Sequence, residues 1–295
     1  MKFVTVKDQS GEFIGVVDES GTRVLPLKKA WEEIENTPFP DTMLQAIDLG
    51  DEFIEKVHKL MEKVNIDSFL SLDQYTILAP IPTPRKNIYC VGKNYAKHAI
   101  EMGSKEDIPE HPIIFTKSPT TVVGCGAEVL NHQQVTSELD YEGELAVIIG
   151  KKGRGISRED ALDYVFGYTI LNDVTARDLQ AQHKQYFIGK SLDTTCPMGP
   201  WIVHSSEIEK PHNLNIETKI NGEVRQSSNT ENFIFPIEEI IHVLSKGMTL
   251  EPGDIIATGT PEGVGKGFKP PRFLKSGDVM TVTIEQIGTL TNTIS

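Results

Sequence analysis

In Tyr141-Glu142-Gly143-Glu144-Leu145 two glutamates stand two residues apart. On a strand such residues share a face, roughly 6.6–7 Å apart along the chain. On a solvated face they need nothing between them. On a buried one they repel unless a cation intervenes. The run continues into AVIIG, apolar on both faces, so this pair is expected to be buried and to need a cation. Asp173 closes the apolar run YTIL within Asn172–Asp178, where a carboxylate either caps the following helix or completes a metal site. Three carboxylates without histidine or cysteine suit a hard cation, Mg²⁺ or Mn²⁺, better than zinc. They leave about three octahedral positions for water or a chelating substrate.

His98 and Glu101 lie in NYAKHAIE. In a helix the i, i+3 spacing brings them to one face, where the carboxylate can fix the imidazole tautomer and raise its basicity. A surface His–Glu pair has the same spacing. The polar, proline-marked GSKEDIPEHP that follows reads as a mobile loop of the kind that closes over a site. Gly259–Gly265 suggests a phosphate loop but lacks the GxxxxGK[ST] spacing, and Gly150–Gly155 is not GxGxxG. A nucleotide site is therefore not expected. Cys90, Cys125 and Cys196 show no CxxC spacing, which excludes a disulfide framework or a cysteine zinc site; Cys90, in IYCVG, reads as a buried thiol.

These residues need elements to hold them. LDYEGELAVIIG (139–150) is the clearest strand, and YTILNDVTARD returns as another. Between them ISREDALDYVFG reads as a helix, with Ser157 as N-cap and Gly167 as its stop. Asn221-Gly222 marks a hairpin, and Pro252-Gly253-Asp254 and Ser276-Gly277-Asp278 each launch a β-branched run. Upstream, three short apolar runs separated by Ser10-Gly11 and Ser20-Gly21 form a small β unit. Apolar residues at three- and four-residue steps from Met43 to Val64 then give a helical region broken at Gly50. Pro80, Pro82 and Pro84 read as a stiff connector. The expected division is a small β-rich N-terminal domain with helices, 1–78, and a larger body, 79–295. The class is mainly β with some α (α+β), in antiparallel barrel-like or rolled sheets.

The 295 residues carry 29 Lys+Arg against 42 Asp+Glu, a net charge of -13. That balance argues against nucleic acid or an anionic membrane as partner. No apolar run has the roughly 18–20 residues needed to cross a bilayer, and the N-terminus has no leader pattern. A cytoplasmic protein is expected.

In this order, VGKNYAKHAIEMG, DYEGELAVIIG, LNDVTARDLQ, GKSLDTTCPMGP and TGTPEGVG resemble the fumarylacetoacetate hydrolase family over residues 80–295. The likeness is strongest to its short bacterial branch of acylpyruvate hydrolases, oxaloacetate decarboxylases and hydroxyhepta-dienedioate isomerases. The resemblance implies a mixed β-roll with a small α/β N-terminal domain, a homodimer, and one Mg²⁺ or Mn²⁺ per subunit. It assigns Glu142, Glu144 and Asp173 as metal ligands and His98 with Glu101 as the water-activating pair. Arg177, Gln180, Lys190 and Thr260 become contacts to the carboxylate and oxo groups of a small 2-oxo acid substrate. Two features depart from the larger eukaryotic members: their further acidic ligand has no clear counterpart, and Lys184 stands where a tyrosine is expected.

The implied chemistry is a metal-stabilised enolate formed on cleaving the C3–C4 bond of a 2-oxo or 2,4-dioxo acid, with Lys190 adding positive charge. Acylpyruvate hydrolysis, oxaloacetate decarboxylation and isomerisation of an unsaturated 2-oxo acid all pass through it. A reading of a different class is a non-catalytic scaffold that binds a metal or metabolite, which the combined presence of the three carboxylates and the His98/Glu101 pair disfavours.

Overall fold

The computed structural model describes residues 1–34 and 37–295. Lys2–Asp8, Gly11–Val17 and Arg23–Pro26 form an antiparallel run, as the turn residues between them lead one to expect. This run does not stand alone. Lys2 and Phe3 pair with Val203 and Ile202 of the strand Cys196–His204. One large sheet then continues through Val165–Asn172, Gly143–Ile149, Ile255–Ala257, Ile88–Gly92 and Ile113–Lys117. A second sheet of five strands is built around Asn215–Ile220, Val279–Ile284 and Gly288–Ile294.

The large sheet is buried on both faces, which is why its strands are apolar at successive positions rather than alternating. Leu145, Val147 and Ile149 point into the core shared with Ile216, Val282 and Leu290 of the second sheet. Ala146 and Ile148 point the other way, toward Phe3, Trp31, Met43, Phe53 and Val57. The latter side is closed by helices Leu27–Ile34, Met43–Asp48 and Asp51–Met61, the last two separated at Gly50 as expected. Asn221 and Gly222 both take left-handed φ, 51° and 81°, in the hairpin between Asn215–Ile220 and Glu223–Asn229. Cys90 is buried, and all three cysteines are free thiols.

Two local expectations fail. The segment after Ser157 is no α-helix: Ser157 does bond Asp160, but only a 3₁₀ turn, Ala161–Tyr164, forms before the strand begins at Val165. Gly167 lies inside that strand, where a Cβ would stand 2.3 Å from the Val203 carbonyl oxygen. It permits close strand approach rather than ending a helix. The 139–150 strand is also interrupted. Leu139–Asp140 pairs with Thr175–Ala176, the chain breaks at Tyr141-Glu142, and Gly143 then joins the large sheet opposite Asn172. That break places Asp140 and Glu142 at the sheet end, beside Asp173. Among the described residues no helix is long and apolar enough to cross a membrane.

Candidate active site

Glu142, Glu144 and Asp173 come together where the strands Gly143–Ile149 and Val165–Asn172 end. Each offers a carboxylate oxygen within 4.8 Å of the others, and they are 5%, 1% and 0% exposed. The backbone fixes them: Asp173 N donates to Glu142 O (2.8 Å) and the Asn172 side chain accepts from Glu142 N (2.9 Å).

Three buried cations face them. Lys190 Nζ lies 2.8 Å from Glu142 Oε2 and 2.6 Å from Asp173 Oδ2. Lys117 Nζ lies 2.8 Å from Asp173 Oδ1 and donates to Val174 O at 3.0 Å. Arg177 reaches Glu142 Oε1 (2.6 Å) through NH1 and Asp140 Oδ2 (2.8 Å) through Nε. Burial opposes ionisation of Glu142, but Lys190 and Arg177 overcome it and its pKa falls below the ordinary carboxylate range. Glu144 is the opposite case. Burial, then repulsion from Asp173 and Glu142, pushes its pKa well up, and among the described residues its one hydrogen-bond donor is Gly259 N at 2.8 Å.

His98, Arg177, Gln180, Lys190 and Thr260 line a cavity of about 220 Å³ with Glu142 and Glu144, and Glu101 stands behind His98. His98, on the short helix Ala96–Glu101, presents Nδ1 to Glu101 Oε2 at 3.4 Å, a loose contact. Glu101 is held more closely from elsewhere, accepting from Gly263 N at 3.0 and 3.1 Å. Gly263 has φ of 100°, and a Cβ there would stand 2.0 Å from Arg225 O, so no other residue fits this turn. Thr260 donates its hydroxyl to Gly143 O (2.9 Å) and accepts from Gln226 (2.8 Å), which leaves it only a lone pair for a ligand. Gln180 accepts from Arg177 NH1 at 3.3 Å. Arg177 NH2 is buried without a hydrogen-bond partner among the described residues. In the 259–266 loop the N–H groups of Gly259, Gly263, Gly265 and Lys266 serve Glu144, Glu101 and Asp140, the chain's own carboxylates.

The sequence model of the fumarylacetoacetate hydrolase C-terminal family matches residues 87–295. The chain is a member of the fumarylacetoacetate hydrolase family. Oxaloacetate tautomerase YisK of Bacillus subtilis strain 168 is 56% identical over 301 residues, covering 100% of both chains. The fumarylacetoacetate hydrolase of Exiguobacterium antarcticum is 42% identical and superposes with a TM-score of 0.86 over 100% of this chain and 99% of its own. A 2-hydroxyhepta-2,4-diene-1,7-dioate isomerase of Mycobacterium marinum is 32% identical, with a TM-score of 0.73 over 100% and 98%. This fumarylacetoacetate hydrolase family enzyme thus sits among tautomerases, isomerases and hydrolases.

Enzymes of this family generally use a divalent metal, and the donor set here fits one. Asp140, Glu142, Glu144 and Asp173 face Lys117, Arg177 and Lys190, four carboxylates against three cations, all buried. The deficit falls at Glu144. An all-oxygen triad short of positive charge suits a hard cation.

Sequence reasoning missed Lys117, Asp140, Gln226 and Tyr186 in this family member. Lys117 ends the apolar strand Ile113–Lys117, and a charge terminating such a run was the available signal. Tyr186, two residues beyond Lys184, lines the cavity. Lys184 itself is exposed and left-handed, φ 55°, so the chain turns there and delivers the residue two positions later.

Proposed function

We propose that this protein is a divalent-metal-dependent enzyme that stabilises the enolate of a small 2-oxo acid, with keto–enol interconversion of oxaloacetate as its main reaction. The observation that carries the reading is the buried acidic triad with Lys190 against two of its members and an unpartnered Arg177 N–H in the same cavity. The 56% identity to an oxaloacetate tautomerase supports oxaloacetate as the substrate. Residues 79–295 form the catalytic unit and 1–78 a smaller unit buttressing one sheet face. The working form is a cytoplasmic homodimer.

A cation on Glu142, Glu144 and Asp173, Mg²⁺ or Mn²⁺, would supply Lewis-acid stabilisation of the enolate. The chain's own groups do the rest. Arg177 NH2, with Gln180 beside it, holds the substrate's C1 carboxylate. Lys190 sets a fixed positive charge near the 2-oxo oxygen as it gains charge. His98, with Nδ1 turned to Glu101, uses Nε2 to take the proton from C3, and the 2-oxo oxygen takes up a proton to give the enol; the reverse transfers, loss of the enol O–H proton and protonation of C3, restore the keto form. Thr260, its own proton given to Gly143 O, can accept only from the enol hydroxyl of the bound acid.

Acylpyruvate-type C–C hydrolysis is the second reading, favoured by His98 at the cavity wall, where the same Nε2 would take a proton from water. The test mixes purified protein and Mg²⁺ with enol oxaloacetate, acetylpyruvate and fumarylpyruvate. Enol loss and pyruvate release are followed separately. Rapid enol loss without matching pyruvate supports tautomerisation; no acceleration of any of these reactions would refute the enolate reading.

A further inference from the structure

The cations that line the cavity are not equivalent. Arg177 and Lys190 are bound to buried carboxylates, and Lys93 lies 3.0 Å from Asp107 Oδ1. Lys266 also lines the cavity and is partly buried, yet its ammonium group has no anionic partner among the described residues. An ammonium group with no carboxylate beside it is free to take an anionic ligand group. Its backbone is anchored: Lys266 N donates to Asp140 Oδ2 at 3.0 Å, and Asp140 also holds Gly265 N and Arg177 Nε. One buried carboxylate therefore sets Lys266 relative to the arginine that offers an N–H to a ligand.

We infer that Lys266 is a specificity residue, its ammonium receiving the distal carboxylate of a four-carbon dicarboxylic 2-oxo acid whose first carboxylate is held at Arg177. The inference rests on the enolate reading of the site and deepens it. With a divalent cation added, the four carboxylates and three cations of the floor carry a net +1. Lys266 places a further positive charge at the rim, where the second carboxylate of a dicarboxylic acid would lie. A 2-oxo acid ending in methyl leaves that charge unpaired.

The experiment compares three unreactive ligands on Mg²⁺-loaded protein by calorimetry. Malate and 2-hydroxybutanoate differ only in a terminal carboxylate against a methyl group; oxalate chelates but has no distal group. In Lys266→Ala the Kd for malate should rise about tenfold or more, the scale of one lost charge-assisted hydrogen bond. Those for 2-hydroxybutanoate and oxalate should stay within about twofold, and Lys266→Arg should restore most of the malate preference. An unchanged malate-to-hydroxybutanoate ratio, or equal weakening of all three ligands, overturns the role of Lys266 alone. Failure of the wild-type protein to bind any of them overturns the enolate site, and this inference with it.

Discussion

The floor and the rim of the cavity are built by different rules. On the floor, Glu142, Glu144, Asp173, Lys117, Lys190 and Arg177 are all nearly sealed from water, set at strand ends or in contact with them. Each charge there is placed by at least one short contact. On the rim, His98 touches Glu101 at 3.4 Å, the helix that carries both is six residues long, and Lys93, Glu101 and Lys266 are partly exposed. Buried charges interact strongly and cannot be left unmatched, so the floor suits a step common to every substrate. The rim, where the His98–Glu101 contact is loose and the charges are partly exposed, suits selection and proton transfer.

The largest expected effect is on the floor. Glu144→Gln should abolish metal-dependent turnover and weaken Mg²⁺ binding at least about 10²-fold, as loss of one of three protein ligands implies. The circular dichroism spectrum should be unchanged. Wild-type turnover by this variant would show the site to be misassigned.

Lys190→Met should lower kcat about 10²–10³-fold on every substrate, the scale of removing one donor to a developing oxyanion. A loss confined to one substrate would place Lys190 with the rim instead. His98→Ala should reduce acylpyruvate hydrolysis about 10²-fold, with oxaloacetate decarboxylation, which needs no base, reduced less. Glu101→Ala should follow the same pattern more weakly. Equal losses in both reactions, measured at one metal concentration, would remove the division of labour between floor and rim.

The smallest effect is thermodynamic. Glu144 carries a raised pKa in the folded protein, so the metal-free folded state retains a proton that the unfolded chain releases in the ordinary carboxylate range. Its stability should therefore fall as pH rises from that range toward the raised value. Saturating Mg²⁺ should flatten the slope by compensating the ionised group. Melting temperatures across about pH 5–8, with EDTA and with Mg²⁺, test this; parallel curves would mean that the triad does not hold the ion.

Legibility followed the same division. Glu142, Glu144 and Asp173 stood out because acids beside long apolar runs contradict the solvent-facing default. The hairpin at Asn221-Gly222 and the break at Gly50 stood out because backbone conformation restricts residue choice there. Lys117 and Asp140 stayed hidden: their partners lie far along the chain, and a lone charge at a strand end reads as a solvated terminus. The failed helix after Ser157 has a related cause. A local cap signal was present and formed its bond, but pairing of Val165–Asn172 within the large sheet claimed the chain. Asn94, which bonds Phe235 N, Phe235 O and Thr258 O, is another residue whose partners only folding reveals.

Glu101 connects the two regions. Its carboxylate braces His98 and at the same time receives the N–H of Gly263. A histidine on a helix lifted away from that turn would keep its ring but lose a seated brace. The setting of the imidazole therefore depends on two segments far apart in the chain at once, the helix Ala96–Glu101 and the turn at Gly263.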